Sequence, residues 1–425
     1  MRIVWHCADR VGNDMAGPGI RAVELSSRLA HHHEVTLVAE GATSLRSMPF
    51  EAVAYTSDAL SAAARGADVL ITQGFGFPID IALRMRGRLV LDLYDPVQLE
   101  QLAQFGPDPT AEQRISLAHV RVRLLALLRR ADHILCASSV QRTLWLGWLG
   151  AVGRLAPATL AGDPEARRLV GIVPFGIPDD APVPEGHPLR GELALQADVP
   201  LVLFWGGLWD WMDPSLAVRA IADLRGRGKT VHLAFLAGPR PGGGAMRAAA
   251  DDARAATAQL SLLDRVHFLE HWIAYARRGA VLLDADLALT AHRPCLEAEF
   301  AFRTRLLDCV WARLPFAGTR GDVLSAEAER EGWGRTVPPG DASGLAAAVE
   351  QLLQPAVRGH AQEAMKEAAG RYRWSRSAET LLELIESPVL PRPPLFVPGE
   401  ALGGRAGALI GTAAVKLWRR LWKRQ

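Results

Sequence analysis

Short β-branched runs alternate with amphipathic stretches along most of this chain, the pattern of parallel strands wrapped by helices. In the first half, strands are predicted at Ile3–Trp5, Val35–Val38, Val69–Ile71, Leu89–Leu93, His133–Cys136 and Ile172–Val173. Arg21–His31 places Val23, Leu25, Leu29 and Ala30 at helical spacing, so a helix is expected after the first strand. His31, His32 and His33 fall where that helix gives way to a strand, and they read as a surface turn. The segment IVPFGIPDDAPVPEGHP is rich in proline and glycine and breaks the periodicity. A second series then begins, with strands at Leu201–Trp205, Val231–Ala237, Val266–Leu269, Leu287–Thr290 and Phe316–Gly318. Its helices are predicted at Ser215–Arg225, Met246–Leu260, Ala274–Asp284, Thr304–Arg313 and Ser343–Gln354, and one more follows at Arg376–Glu386. The expected architecture is α/β, with Rossmann-like lobes at 1–177 and 199–375 joined by a linker at 178–198. Ligands of open α/β sheets bind beyond the carboxyl ends of the strands, so two such sheets direct the site to the cleft between them.

Composition narrows the function. A chain of 425 residues with 49% hydrophobic and 22% charged residues suits two folded domains. The net charge of +2 is uneven, because residues 401–425 carry six Lys/Arg and no acid. The remainder is acidic on balance, which argues against a nucleic-acid-binding face. Cys7, Cys136, Cys295 and Cys309 lie far apart without zinc-site spacing and read as reduced thiols of a cytoplasmic protein. No signal peptide and no run of 18 apolar residues is recognised.

Three glycine-bearing or charged segments follow predicted strands. In AGPGIR, Gly17 and Gly19 permit a tight turn, the helix start favours an anion and Arg21 adds a charge, although the dinucleotide fingerprint fails at Ala22. In FWGGLWDWMDP, Gly206 and Gly207 allow close approach of a ligand, while Trp205, Trp209 and Trp211 offer stacking faces or simply core. The richest segment, HRPCLEAEFAFRTRLLDCVWARLPFAGTRGD, gathers Glu297, Glu299, Arg303, Arg305 and Asp308 around one helix start. Two arginines there suit a diphosphate, with Asp308 placed for ribose hydroxyls. The competing reading is an ion-pair network, Arg303 with Glu299 and Arg305 with Asp308. Asp92 and Asp95, in LDLYDP, end a first-lobe strand; one is expected to orient or deprotonate an acceptor, unless Asp95 caps the next helix.

DCVWARLPFAGT, FRTRLLD, WGGLWDWMDP and ADHILCASSVQRTLWLGWL together resemble the GT-B fold glycosyltransferases of the retaining family 4, or "group 1", type, in a bacterial branch. In that frame Asp308 stands for the second Glu of the family's E-x7-E motif. Phe300 occupies the first position, with Glu297 and Glu299 the nearest acids. The family's Arg and Lys after the second-lobe glycine are replaced here by Gly207 and Met212, which leaves Arg303 and Arg305 as substitutes. The resemblance implies a nucleotide-diphospho-sugar donor on the second lobe, a hydroxyl acceptor, no cofactor and no metal, and a helix at 376–387 packing back on the first lobe. A non-catalytic scaffold and a sugar-nucleotide epimerase remain alternatives.

The tail at 388–425 lies outside that resemblance. After a proline-rich stretch, Ile410, Ala414, Leu417, Trp418, Leu421 and Trp422 fall on one helical side, opposite Lys416, Arg419, Arg420, Lys423 and Arg424. This composition suits docking on an anionic membrane surface, and hence a peripheral location and a lipid-linked acceptor in cell-surface glycan assembly; the alternatives are a helix that packs its Trp face on the protein itself and a soluble acceptor.

Overall fold

Buried on both faces, the β-branched runs form two sheets in which every pairing is parallel. The computed structural model describes residues 1–74, 76–238 and 248–392. The first sheet contains β1 (Arg2–His6), β2 (Glu34–Ala39), β3 (Glu51–Ala54), β4 (Val69–Thr72), β5 (Arg88–Asp92), β6 (His133–Cys136) and β7 (Val170–Ile172). Its order is β3-β2-β1-β4-β5-β6-β7. The second contains β8 (Leu201–Phe204), β9 (His232–Leu236), β10 (Val266–Leu269), β11 (Leu287–Thr290), β12 (Phe316–Thr319) and β13 (Gly334–Val337), ordered β10-β9-β8-β11-β12-β13. Both orders reverse direction beside the first strand, between β1 and β4 and between β8 and β11. Such switch points open a crevice at the strands' carboxyl ends.

Two strands escape the hydrophobic pattern. β3 is an edge strand with no fully buried residue, and β13 starts at a glycine with Arg335 exposed. The first helix runs Gly17–Leu29, four residues earlier than predicted, because Pro18 suits the opening turn. His31–His33 form the turn after it. The expected helix Ala274–Asp284 is a 3₁₀ turn, Tyr275–Arg277, followed by a short helix, Arg278–Leu283.

The chain crosses between the lobes twice, first after β7 and again into the helix Trp374–Glu386. That helix packs against Gly17–Leu29 and β7 of the first lobe. Its Trp374 indole meets the Phe175 ring at 4.8 Å and lies against Gly176, where an added Cβ would fall 2.3 Å from the indole. Only a glycine lets the backbone come that close. Beyond the helix, Arg88 donates to the carbonyls of Ile385 and Ser387 at 2.5 and 2.6 Å. Arg392 then grips the buried Asp132 with Nε and Nη2 at 2.5 and 2.7 Å. Residues 393–425, and with them the tail from Gly407 to Arg424, lie outside the described residues, as does most of the loop GPRPGGG. Among the described residues no helix is long and apolar enough to cross a membrane.

Candidate functional site in the interlobe cleft

The carboxyl ends of both sheets face a cavity of about 670 Å³. Its first-lobe wall comes from the Ala8–Pro18 region after β1 and from Tyr94–Val97 after β5. Its second-lobe wall comes from the turn after β8, from His271–Ile273 after β10, and from residues that follow β11. One side chain stitches the walls together: Gln141 Nε2 donates to the carbonyls of Tyr94 in the first lobe and Phe300 in the second, at 2.7 and 2.9 Å.

Helix Gly17–Leu29 begins at this cavity without a side-chain cap on Ala16, so its first amides present positive potential to the cleft. Gly17 lines the cavity and Gly19 does not. A Cβ on Gly19 would sit 2.6 Å from the Arg10 carbonyl, so this glycine serves packing. Arg21 is a correction to the sequence reading. It is fully buried, and its Nε reaches both oxygens of the equally buried Asp92 at 2.8 and 3.0 Å. Its Nη1 and Nη2 donate to the Pro174 and Val173 carbonyls. Arg21 and Asp92 neutralise one another beneath the cleft and belong to the fold.

Asp95 lines the cavity and does not cap the helix Val97–Phe105, whose N-cap is Pro96. It stays partly exposed at the wall while protein encloses its other sides. Burial pushes its carboxyl up to about 7, helped by the charges of Asp92 and Glu297 and opposed by the Tyr94 hydroxyl and Arg21. Glu297, on the short helix Leu296–Phe300, is buried in the opposite wall. Burial raises its pKa and the Arg303 charge counters that shift. Glu299, two residues on, points away to solvent and leaves the site.

The two arginines take different positions. Arg303 is 6% exposed and ends one edge of its guanidinium on protein, with Nη1 at 2.9 Å from Asp322 and 3.2 Å from the Thr319 carbonyl. The predicted Arg303–Glu299 pair is absent. Nε and Nη2, the parallel fork of the guanidinium, are buried with no partner. Arg305 lies against the turn after β8. Its Nη1 donates to the Trp205 carbonyl at 3.1 Å and touches Met212 Sδ at 3.3 Å. Gly206, with φ +87, permits this contact, since a Cβ there would lie 3.2 Å from the guanidinium carbon. Burial lowers the Arg305 pKa to about 10, with the Arg303 charge acting in the same direction. Arg305 thus brings a cation to Met212, one of the two positions where the resemblance expects one.

Asp308 does not pair with Arg305. Its Oδ2 accepts from Trp205 Nε1 and its Oδ1 from Arg278 Nε, both at 3.2 Å. Trp209 and Trp211 stack on each other at 5.2 Å and 11° and line the same wall as Gly206 and Gly207. Two cavity residues were not visible to sequence reading. His292 is buried, held neutral by burial and by the charges of Arg303 and Arg305, and its Nδ1 has no partner. Arg278 is buried between two aromatic rings. His292 opens the charged segment after β11 with nothing in the sequence to give it a role, and Arg278 belongs to no motif; their place after β11 and before it on the folded sheet brings them in.

Contrary to the expectation that no Asp-x-Asp motif occurs, Asp284, Ala285 and Asp286 form one, at the opposite ends of the strands from the cleft. Its carboxylates serve the Leu189, Arg190 and Leu201 amides and the Arg190 and Arg358 guanidiniums. No group of three potential metal ligands occurs among the described residues.

Two Rossmann-like lobes of seven and six parallel strands, with a cleft at their carboxyl ends, define the GT-B architecture seen in glycosyltransferases. The chain resembles HepE of Anabaena in complex with UDP and glucose at a TM-score of 0.66 and 16% identity, covering 91% of this chain and 100% of that one. Sucrose-phosphate synthase of Thermosynechococcus elongatus aligns at 0.62 and 16% identity, over 90% and 98% of the two chains. WaaG, a glycosyltransferase of lipopolysaccharide biosynthesis, aligns at 0.60 and 16% identity, over 91% and 100%. No protein-family model and no curated protein matches the sequence.

Proposed function

We propose that this chain is a retaining, metal-independent glycosyltransferase of the family 4 type, moving a sugar from a nucleotide-diphospho-sugar to an acceptor hydroxyl in cell-surface glycan assembly. One observation carries the reading. Arg303 is among the residues that line a cleft of GT-B form, and its Nε/Nη2 fork is buried and left unpaired. Leaving such donors dry costs stability, and two parallel donors match the oxygens of a phosphate.

In this reading the diphosphate lies between Arg303, Arg305, the Gly206–Gly207 turn and the helix start at Gly17. These groups stabilise the charge that develops on the leaving diphosphate while the donor carbon gains oxocarbenium character. Their positive potential is the support for a mechanism without metal. Glu297 faces the sugar, Asp308 takes the ribose, and the Trp209 face stacks on the nucleoside. Asp95, on the other lobe, holds or deprotonates the acceptor hydroxyl. The basic, Trp-rich composition of residues 407–425 supports an acceptor carried on lipid and a peripheral location at an anionic membrane.

Incubation with a panel of nucleotide sugars tests the proposal. Slow donor hydrolysis with release of free sugar is expected. Isomerised donor would establish an epimerase, and the absence of both turnover and thermal shift would establish a scaffold. Asp308→Asn keeps the side chain's shape and removes its charge, so nucleotide affinity is expected to fall about tenfold, the worth of one charge-assisted hydrogen bond. Unchanged affinity by calorimetry would remove Asp308 from the nucleotide.

The raised pKa of Asp95 gives a pH signature. A carboxylate needed by the acceptor is lost as pH falls through about 7, so turnover should show an acid limb there. Asp95→Asn should abolish that limb along with most activity. The folded state binds the Asp95 proton more tightly than the unfolded chain does, so this group's stabilising effect is complete at low pH. It disappears as pH rises towards 7. The Asn variant should therefore melt higher than the native chain at pH 8, and a lower melting point would contradict the assignment.

A further inference from the structure

Arg278 is the hub of a continuous polar path between the lobes. Its guanidinium lies 3.7 Å from the centre of the Tyr275 ring and 4.5 Å from that of Trp311. From there Nε holds Asp308, and Nη2 donates to the Tyr275 hydroxyl at 3.1 Å. That hydroxyl donates in turn to Glu24 Oε1 at 2.7 Å, on the first-lobe helix Gly17–Leu29. The Tyr275 amide also donates to the first-lobe Asn13 carbonyl at 2.9 Å. Glu24 Oε2 accepts from Arg28, and Arg28 reaches Asp179, where the chain first crosses between lobes, each at 2.7 Å. Trp311 donates to the Asp180 carbonyl at 2.6 Å.

We propose that Tyr275 and Arg278 are positioning residues that couple nucleotide binding at Asp308 to closure of the two lobes. The proposal rests on the reading of Asp308 as a nucleotide contact. The Tyr275 hydroxyl accepts from one lobe and donates to the other, so both bonds exist together only at this lobe spacing. Burial holds its pKa well above 10, and it remains a donor at neutral pH. Opening the cleft breaks the bonds to Glu24 and Asn13. Arg278 then loses the anchored hydroxyl on which its Nη2 rests, and Asp308 loses a fixed orientation. A carboxylate held for the ribose binds nucleotide better in the closed form, and by linkage nucleotide must favour closure to the same degree. Spatial continuity alone does not establish coupling, so the test is a double-mutant cycle.

Tyr275→Phe keeps the ring beneath Arg278 and removes only the bridge; Glu24→Gln removes the accepting charge. The probe is whichever of the uridine, guanosine, adenosine and thymidine diphosphates binds the native chain most tightly by calorimetry. Each single variant is expected to weaken its Kd about tenfold, and the double variant no further. Small-angle scattering should show the nucleotide shrinking the native radius of gyration and leaving that of both variants nearly unchanged. A purely structural role would lower the melting point without altering Kd. Native Kd in Tyr275→Phe, or effects that add in the double variant, would overturn the coupling. If Asp308→Asn binds nucleotide normally, or no nucleoside diphosphate binds the native chain, the donor-site reading falls first and takes this proposal with it.

Discussion

Replacing Arg303 or Arg305 is expected to slow sugar transfer by a hundredfold or more. In the proposed reading their contacts to the diphosphate strengthen as it leaves, and interactions of that kind act on the barrier more than on substrate binding. The two positions call for different substitutions. Arg303→Ala would also strip Asp322 of its buried partner at 2.9 Å, although the Leu324 and Ser325 amides continue to cap that carboxylate. Arg303→Lys is the sharper variant. It keeps a cation near Asp322 and lacks the planar fork that the native chain leaves buried and unpaired. Turnover should fall steeply while the melting temperature stays near native. Arg305→Ala removes the cation beside Met212 and frees the Trp205 carbonyl, which faces the cavity turn. Native turnover in both Arg303→Lys and Arg305→Ala would sink the diphosphate assignment.

The second large effect is on stability. Arg21→Ala is expected to cost about 3–5 kcal/mol, because removing one member of a buried ion pair leaves the other charge uncompensated. Asp92 would be stranded at zero exposure, and the Val173 and Pro174 carbonyls would lose their donors. The double change Arg21→Met with Asp92→Leu should recover much of the loss, since an apolar pair needs no such compensation. Urea unfolding measures both. A native midpoint for Arg21→Ala would show that the pair contributes nothing to the fold.

These two arginine groups mark the limit of sequence reading. Arg21 and Arg303 sit alike in the sequence, each at a helix start after a parallel strand. What separates them is a partner 71 residues away for Arg21 and a partner for only one edge of Arg303. Local pattern carries no information about such distant pairing. Central strands were legible because burial on both faces writes continuous apolar runs, whereas the edge strand β3 is half solvated and carries no such run. The sequence favours Glu297 over its competitor Glu299 for the sugar only by position, since a five-residue helix is too short to display a periodicity that would separate them. The helix Ala111–Arg130 was missed for a related reason: its first half buries nothing, so its apolar residues follow no single face.

The second crossing of the chain bears on how this molecule can be recombined. Phe175, Gly176 and the helix Gly17–Leu29 present a surface completed by Trp374–Glu386, and Asp132 depends on Arg392 for a bidentate partner. The first lobe is therefore assembled from two stretches of sequence separated by the whole of the second. A chimera that exchanges the first lobe by grafting residues 1–177 alone would pair a new lobe with a foreign last helix. The transplantable unit is 1–177 together with 374–392, and the second lobe is the insert between them.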